Sequence, residues 1–228
     1  MNDLIKLATA DLKSAELLFQ QQIFHNAIYF YHQAVEKAVK YLGLQIGIID
    51  NNALKKIGHE PIKVFKILDE VEKVFHNEEL TEFVSLIKKL TDEQLVNKTL
   101  LEIEQSTQNL YELDFNLSYF QNLRIYIADK DFPQKDIIST IEENSYYNKM
   151  AKEFFNQLNV GAVIIRMLFL NSCLCSKYKL DSYRYNSEKI ENPVDYFSET
   201  NPIVLKLDIF IKSLAICLSQ IENINWKN

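Results

Sequence analysis

Glycine and proline are scarce in this chain, four of each in 228 residues, against average usage of about 7% and 5%. The four glycines, Gly43, Gly47, Gly58 and Gly161, form no Gly-rich phosphate loop and no dinucleotide fingerprint. No Gly-x-Ser-x-Gly elbow is present. No Gly-Ser pair followed by paired aspartates occurs either, so the chain is not itself a nucleotidyltransferase. Cysteine is sparse and odd in number. Cys173, Cys175 and Cys217 sit in apolar surroundings, and a lone Cys-x-Cys without a nearby histidine is a poor ligand set for a metal. They read as small buried hydrophobes in a reducing compartment. A helical di-metal site would want Glu-x-x-His on two helices, and the chain lacks that repeat, so no metal site and no cofactor are expected.

Basic charge is also short. There are 25 Lys and Arg against 31 Asp and Glu, a net charge of −6. The excess acid lies mid-chain: residues 61–110 carry 6 basic and 10 acidic side chains, and residues 111–160 carry 5 and 8. A general nucleic-acid binder neutralises phosphates with a dense basic footprint, so strong non-specific DNA binding is disfavoured. Long hydrophobic runs are missing too. The most apolar stretch, residues 160–175, is interrupted by Arg166 and Asn171 and is shorter than the roughly 20 residues of a membrane span. The opening MNDLIKLATADL holds acids and no apolar h-region, unlike a signal peptide. A soluble cytoplasmic protein with no membrane partner is expected.

What is abundant is helix former. Nearly half of the residues are hydrophobic (47%), enough for a sizeable core. The stretch Phe24 to Gln45 organises the rest. Phe24, Ile28, Tyr31, Val35, Ala38 and Leu42 recur at steps of three and four, and Ala27, Phe30, Ala34 and Tyr41 form a second stripe beside them. Two adjacent stripes predict a central helix with more than one neighbour. The remaining face carries a polar line: His25, Tyr29, His32, Gln33, Glu36 and Lys40.

In chain order, residues 2–22 read as an amphipathic helix with Asn2 as N-cap and Leu4, Leu7, Ala8, Leu12, Ala15, Leu18 and Phe19 as its core stripe. It should pair with the central helix as a hairpin. Gly43 and Gly47 are expected to close the central helix, and a polar loop, IIDNNALKKI, follows. Glu60-Pro61 starts a third helix, His76-Asn77 interrupts it, and a further helix runs over residues 78–90. Thr91-Asp92-Glu93-Gln94 has the form of a capping box opening an acidic helix to about Tyr111. Residues 114–133 are aromatic-rich and ambiguous between strand and helix, and a short helix is expected from Ser139. A long apolar helix spans about 147–178. Tyr183-Arg184-Tyr185-Asn186 begins an extended polar connection, and Asn201-Pro202 launches a last helix to about Asn223.

The first part of the chain resembles the HEPN domain family, the "higher eukaryotes and prokaryotes nucleotide-binding" helical family. The resemblance is carried by Ala10-Asp11-Leu12 and Ala15, then Ala27, Tyr31-His32-Gln33-Ala34, Glu36-Lys37 and Lys40, then Gly47 and Gly58-His59. Tyr183-Arg184-Tyr185 stands where many members have Arg-Tyr-Pro, with Asn186 in place of the proline. The resemblance implies an all-α, up-and-down four-helix bundle, one domain over 1–228. Residues 80–148 look like an insertion that places extra helices between the third and last core helices.

The family comes in two functional styles. One is a metal-independent ribonuclease with an Arg-x4-6-His motif completed across a dimer. Here every histidine (His25, His32, His59, His76) precedes every arginine (Arg124, Arg166, Arg184), so that motif is absent. The other style is a helical partner, commonly of a minimal nucleotidyltransferase, in toxin–antitoxin or defence settings. The resemblance therefore implies a homodimeric, non-catalytic module that binds a nucleotide, RNA or a protein. A nucleotide's phosphate would meet Gln33, Lys37, Lys40 and Arg184. The first rival is a divergent ribonuclease using His32, Glu36 and Arg184 as catalytic residues; a second is a purely structural bundle whose acidic insertion docks another protein. The bland expectation for Gln33, Glu36, Lys37 and Lys40 is interhelical hydrogen bonds and salt bridges, with His59 tying down its loop.

Overall fold

The chain begins as a helical hairpin because its first two apolar stripes are complementary. α1 (Asn2–Gln20) and α2 (Phe24–Gln45) lie against each other. Ala8, Ala15, Ala27, Ala34 and Ala38 are fully buried, and their small side chains let the two backbones approach closely. The turn between them is built at Gln22, which adopts φ +59°. That conformation costs a non-glycine residue about 1 kcal/mol. It lets the amides of Gln21, Gln22 and Ile23 reach the carbonyls of Leu17, Phe19 and Leu18 at 3.1, 3.0 and 2.9 Å. The Phe19 and Phe24 rings, 5.7 Å apart, close the turn from the apolar side. The expected stripe on α1 needs one correction: Leu7 is 50% exposed, and the inward row is Ile5, Ala8, Leu12 and Ala15.

The computed structural model describes residues 2–72, 77–112 and 145–224, and all its regular elements there are helical. The expectations for residues 114–133 and for a helix at Ser139 lie outside the described residues. The segment taken as a polar loop folds instead as α3 (Asn51–Ile57), because Asp50 caps it by accepting from the Ala53 amide at 2.7 Å. Gly43 does not end α2 but lies inside it, where a Cβ would stand 2.8 Å from Ile49 Cδ1 and 2.9 Å from Val64 Cγ1. The close packing of Ile49 and Val64 against α2 thus needs hydrogen at that position. Gly47 and Gly58 take the left-handed region at φ +78° and +59°, the first just past α2 and the second ending α3. α4 (Ile62–Glu72) follows Pro61, and α5 is Asn77–Lys89.

α6 (Asp92–Glu112) starts on the capping box. The Thr91 amide donates to Gln94 Oε1 at 3.0 Å, and the Gln94 amide to Thr91 Oγ1 at 3.2 Å. α6 packs along α7 (Ser145–Cys175) and buries Leu95, Val96, Leu100 and Ile103 in the same core as the hairpin. The described part of the segment expected as an insertion is therefore integral to the core. Beyond α7 the connection is folded rather than extended: a 3-10 turn at Leu180–Tyr183, α8 (Pro193–Tyr196) and α9 (Pro202–Leu205) bury Tyr183, Ile190 and Phe197. Asn201 caps α9 by accepting from the Ile203 amide at 2.9 Å. The single last helix expected from Pro202 is split by Lys206 (φ −120°, ψ 7°), and α10 runs Leu207–Ile221.

α1 packs on α2 and α10, and α7 on α2 and α10. Inside these contacts the Tyr31 hydroxyl donates to Asn171 Oδ1, and Asn171 Nδ2 donates to the Met167 carbonyl at 2.6 Å. Tyr31 and Asn171 are 1% and 0% exposed, so this pairing satisfies polar groups that would otherwise be costly to bury. Among the described residues, no helix is long and apolar enough to cross a membrane.

Candidate functional site

The polar line on α2 is buried along its middle, which is unusual for charged side chains. Glu36 is 5% exposed and His32 1%. Glu36 is a fully engaged carboxylate. Lys40 Nζ donates to Oε1 at 2.6 Å, and His59 Nδ1 donates to Oε2 at 2.9 Å. Next to Glu36 in the chain, Lys37 Nζ donates to Asp11 Oδ2 on α1 at 2.5 Å and to Gln33 Oε1 at 2.7 Å. The line is thus a chain of internal pairs tying α2 to α1 and to the turn before α4. Lys40 reaches Glu36, and Lys37 reaches Gln33, because i,i+4 residues share a helix face; Asp11 and His59 come in from other elements.

His32 is held differently. Its Nε2–H donates to the His59 carbonyl at 3.2 Å, so the neutral ring has its lone pair on Nδ1. Among the described residues, Nδ1 has no hydrogen-bond partner. The Tyr183 ring packs edge-on against the imidazole at 5.7 Å. A proton on Nδ1 would be buried without an acceptor, and burial accordingly lowers the pKa to about 4, against a smaller upward pull from Glu36. His32 is neutral at pH 7 and enclosed, and its one donor already serves the backbone.

Arg184 lies apart from this line. Its Nε donates to Asn26 Oδ1 at 3.2 Å, and its guanidinium carbon stands 4.3 Å from the centre of the Tyr29 ring. Asn26 is two turns before Gln33 on α2, about 10 Å along the axis. The structure therefore brings Gln33, Lys37, Lys40, His32 and Glu36 together and leaves Arg184 at the other end of the helix. His25, Asn26 and Tyr29 surround it; His25 and Tyr29 stand on the polar line in sequence, but their spacing does not disclose Arg184 as a neighbour.

The cysteines add no reactive group. Cys173, Cys175 and Cys217 are free and buried, and desolvation pushes the Cys173 and Cys217 thiols up to about 12 and Cys175 well above its ordinary value. Among the described residues, no group of three or more His, Cys, Asp or Glu could hold a metal ion.

A second buried polar centre lies where α6 begins. Asp92, 9% exposed, accepts from the Tyr178 hydroxyl at 2.8 Å, the Tyr196 hydroxyl at 3.0 Å and Asn201 Nδ2 at 3.3 Å. Lys177 Nζ is 3.8 Å from its Oδ1 and donates to the Leu90 carbonyl. Rings of Tyr178, Tyr183, Tyr196 and Phe197 pack around it at 5.0 to 6.3 Å, edge to face except for the tilted Tyr183–Phe197 pair.

No curated protein and no solved structure matches the chain. One family model does, that of the HEPN domain, over residues 1–96. The matched segment holds α1 to α5 and the first turn of α6, and so includes residues 80–96 of the stretch expected as an insertion. Of the residues that carry the resemblance, Asp11, Gln33, Glu36, Lys37 and Lys40 have side chains that interlock along α2. Residues 1–96, the part of the chain built around α2, thus match the model of the HEPN domain family.

Proposed function

We propose that this protein is a non-catalytic HEPN module that binds a nucleotide or RNA, acting as a homodimer and partnered by a minimal nucleotidyltransferase in a toxin–antitoxin or defence setting. The family match over residues 1–96 supports a nucleotide- or RNA-related helical module in general. The observation that carries the non-catalytic reading is the state of the His32–Glu36 pair. A general base must reach the proton it abstracts. His32 is 1% exposed and donates to the His59 carbonyl, Glu36 is bound by Lys40 and His59, and Arg184 contacts a different part of α2. The arrangement supports packing along the line and binding elsewhere.

The ribonuclease alternative is tested by incubating the protein with RNA in the absence of divalent metal, beside His32→Ala. The expected outcome is no cleavage by either. Metal-independent cleavage by the natural sequence that disappears in His32→Ala would overturn the non-catalytic reading. Sedimentation of the protein alone, and with the product of any adjacent gene encoding a small nucleotidyltransferase, tests the dimer and the partner. A monomer at all concentrations removes the first, and separate migration removes the second.

A further inference from the structure

Arg184 is exposed, yet it is fixed before any ligand arrives. Arginine can only donate, so its Nε bond to Asn26 Oδ1 sets the orientation of that amide, and Asn26 Nδ2 turns to His25 Nε2 at 3.0 Å. His25 must then accept at Nε2. Burial, and next the charge of Arg184, lower its pKa, so the neutral ring that this network requires is the form present at pH 7. The opposite face of the restraint is Tyr29, under the guanidinium at 4.3 Å. Tyr29 is itself steadied by an edge-to-face contact with Phe30 at 5.4 Å.

What remains unused is the outer fork. Among the described residues no carboxylate pairs with Arg184. Arg166, the other arginine among the described residues, pairs with Glu102. An arginine ordered by stacking and by one tied N–H has already lost much of its rotamer freedom, so a ligand does not bear that cost again. Its two Nη groups match two oxygens of a phosphate in a planar, bidentate contact. Tyr185, next in the chain and 65% exposed, supplies an aromatic face of the kind on which bases stack.

We propose that His25, Asn26, Tyr29 and Arg184 form a phosphate clamp, in which the Nη groups of Arg184 grip the phosphate of a nucleotide while Asn26 and Tyr29 hold the guanidinium in place. The clamp rests on the nucleotide-binding reading above and moves the phosphate contact away from Lys37 and Lys40, whose ammonium groups are already paired.

Calorimetric titration of the full chain with AMP, adenosine, inorganic phosphate, acetate and a short oligoribonucleotide without terminal phosphates tests it, using Arg184→Gln, Arg184→Lys, Tyr29→Leu and Tyr29→Phe beside the natural sequence. AMP is expected to bind at least about tenfold tighter than adenosine, and Arg184→Gln to abolish that difference with an unchanged melting temperature. Arg184→Lys, which keeps the charge and loses the fork, should recover little. Tyr29→Phe should retain AMP affinity, and Tyr29→Leu should lose it while keeping the natural melting temperature, a combination that a merely structural tyrosine would not give. Equal use of Arg184 by the oligoribonucleotide assigns the phosphate to a strand; preference for AMP or inorganic phosphate assigns it to a free or terminal phosphate. If AMP binds the natural sequence and Arg184→Gln alike, the clamp is wrong and the nucleotide-binding reading stands. If acetate binds as well as phosphate through Arg184, the clamp is again wrong. If no phosphate-bearing ligand binds the natural sequence, both readings fall.

Discussion

At the scale of the residue, His32 ties stability to pH. Its pKa is about 4 in the folded protein against about 6.5 in an unfolded chain. Between those values the unfolded state binds the proton and the folded state does not, so stability falls as pH drops from about 6.5 to 4 and this contribution is flat outside that window. That difference corresponds to about 3 kcal/mol. Urea unfolding followed at several pH values should show this loss, and His32→Gln should flatten it; an unchanged slope in the variant would place the effect on another group. The line to which His32 belongs was legible in the sequence as a row of polar residues at helical spacing. Its partners were not. Asp11 and His59 reach Lys37 and Glu36 from 26 and 23 positions away, and nothing in local spacing encodes such a meeting. The same holds for Arg184, whose acceptor Asn26 lies 158 positions upstream.

At the scale of the element, α6 is anchored by its first residue. Sequence spacing identified Thr91 and Gln94 as a capping box, and the structure has both reciprocal bonds. Asp92 reads in sequence only as an acid in a first turn, favourable to the helix dipole. In the structure it collects Tyr178, Tyr196, Asn201 and Lys177 from the far side of α7. Lys177 and Asp92 side chains are each 8% exposed, so removing one charge strands the other. Asp92→Ala is expected to cost about 3–5 kcal/mol in urea unfolding, whereas Lys37→Ala, acting on a pair that is 19% exposed on each side, should cost about 1 kcal/mol or less. Equal losses for the two variants would refute the ranking. The split of the last helix at Lys206 was not legible, because Asn201-Pro202 announces a helix start and carries no mark of where that helix stops.

At the scale of the whole molecule, the all-helical architecture followed from few glycines and prolines and from apolar residues at steps of three and four. The hairpin was read to within two residues of its observed ends. What was not legible is how the later helices share the core, since buried contacts between distant segments leave no local signal. Residues 1–96 match a family model, yet the buried faces of α1 and α2 are covered by α7 and α10, and Leu100 and Ile103 of α6 lie beyond the match. A fragment of residues 1–96 is therefore expected to melt without cooperativity, in contrast to the full chain. Circular dichroism against temperature would decide it, and a sharp transition in the fragment would show that the matched segment folds alone.

Asp92 also has a consequence in time. Its bonds to Tyr178 and Asn201 join positions 86 and 109 apart in the chain, whereas α1 and α2 meet within the first 45 residues. Distant contacts bear a loop-closure cost that near ones do not. The hairpin is the part of the chain able to form early, and Asp92 is a late clasp, closed only when the C-terminal segments have come back across α6.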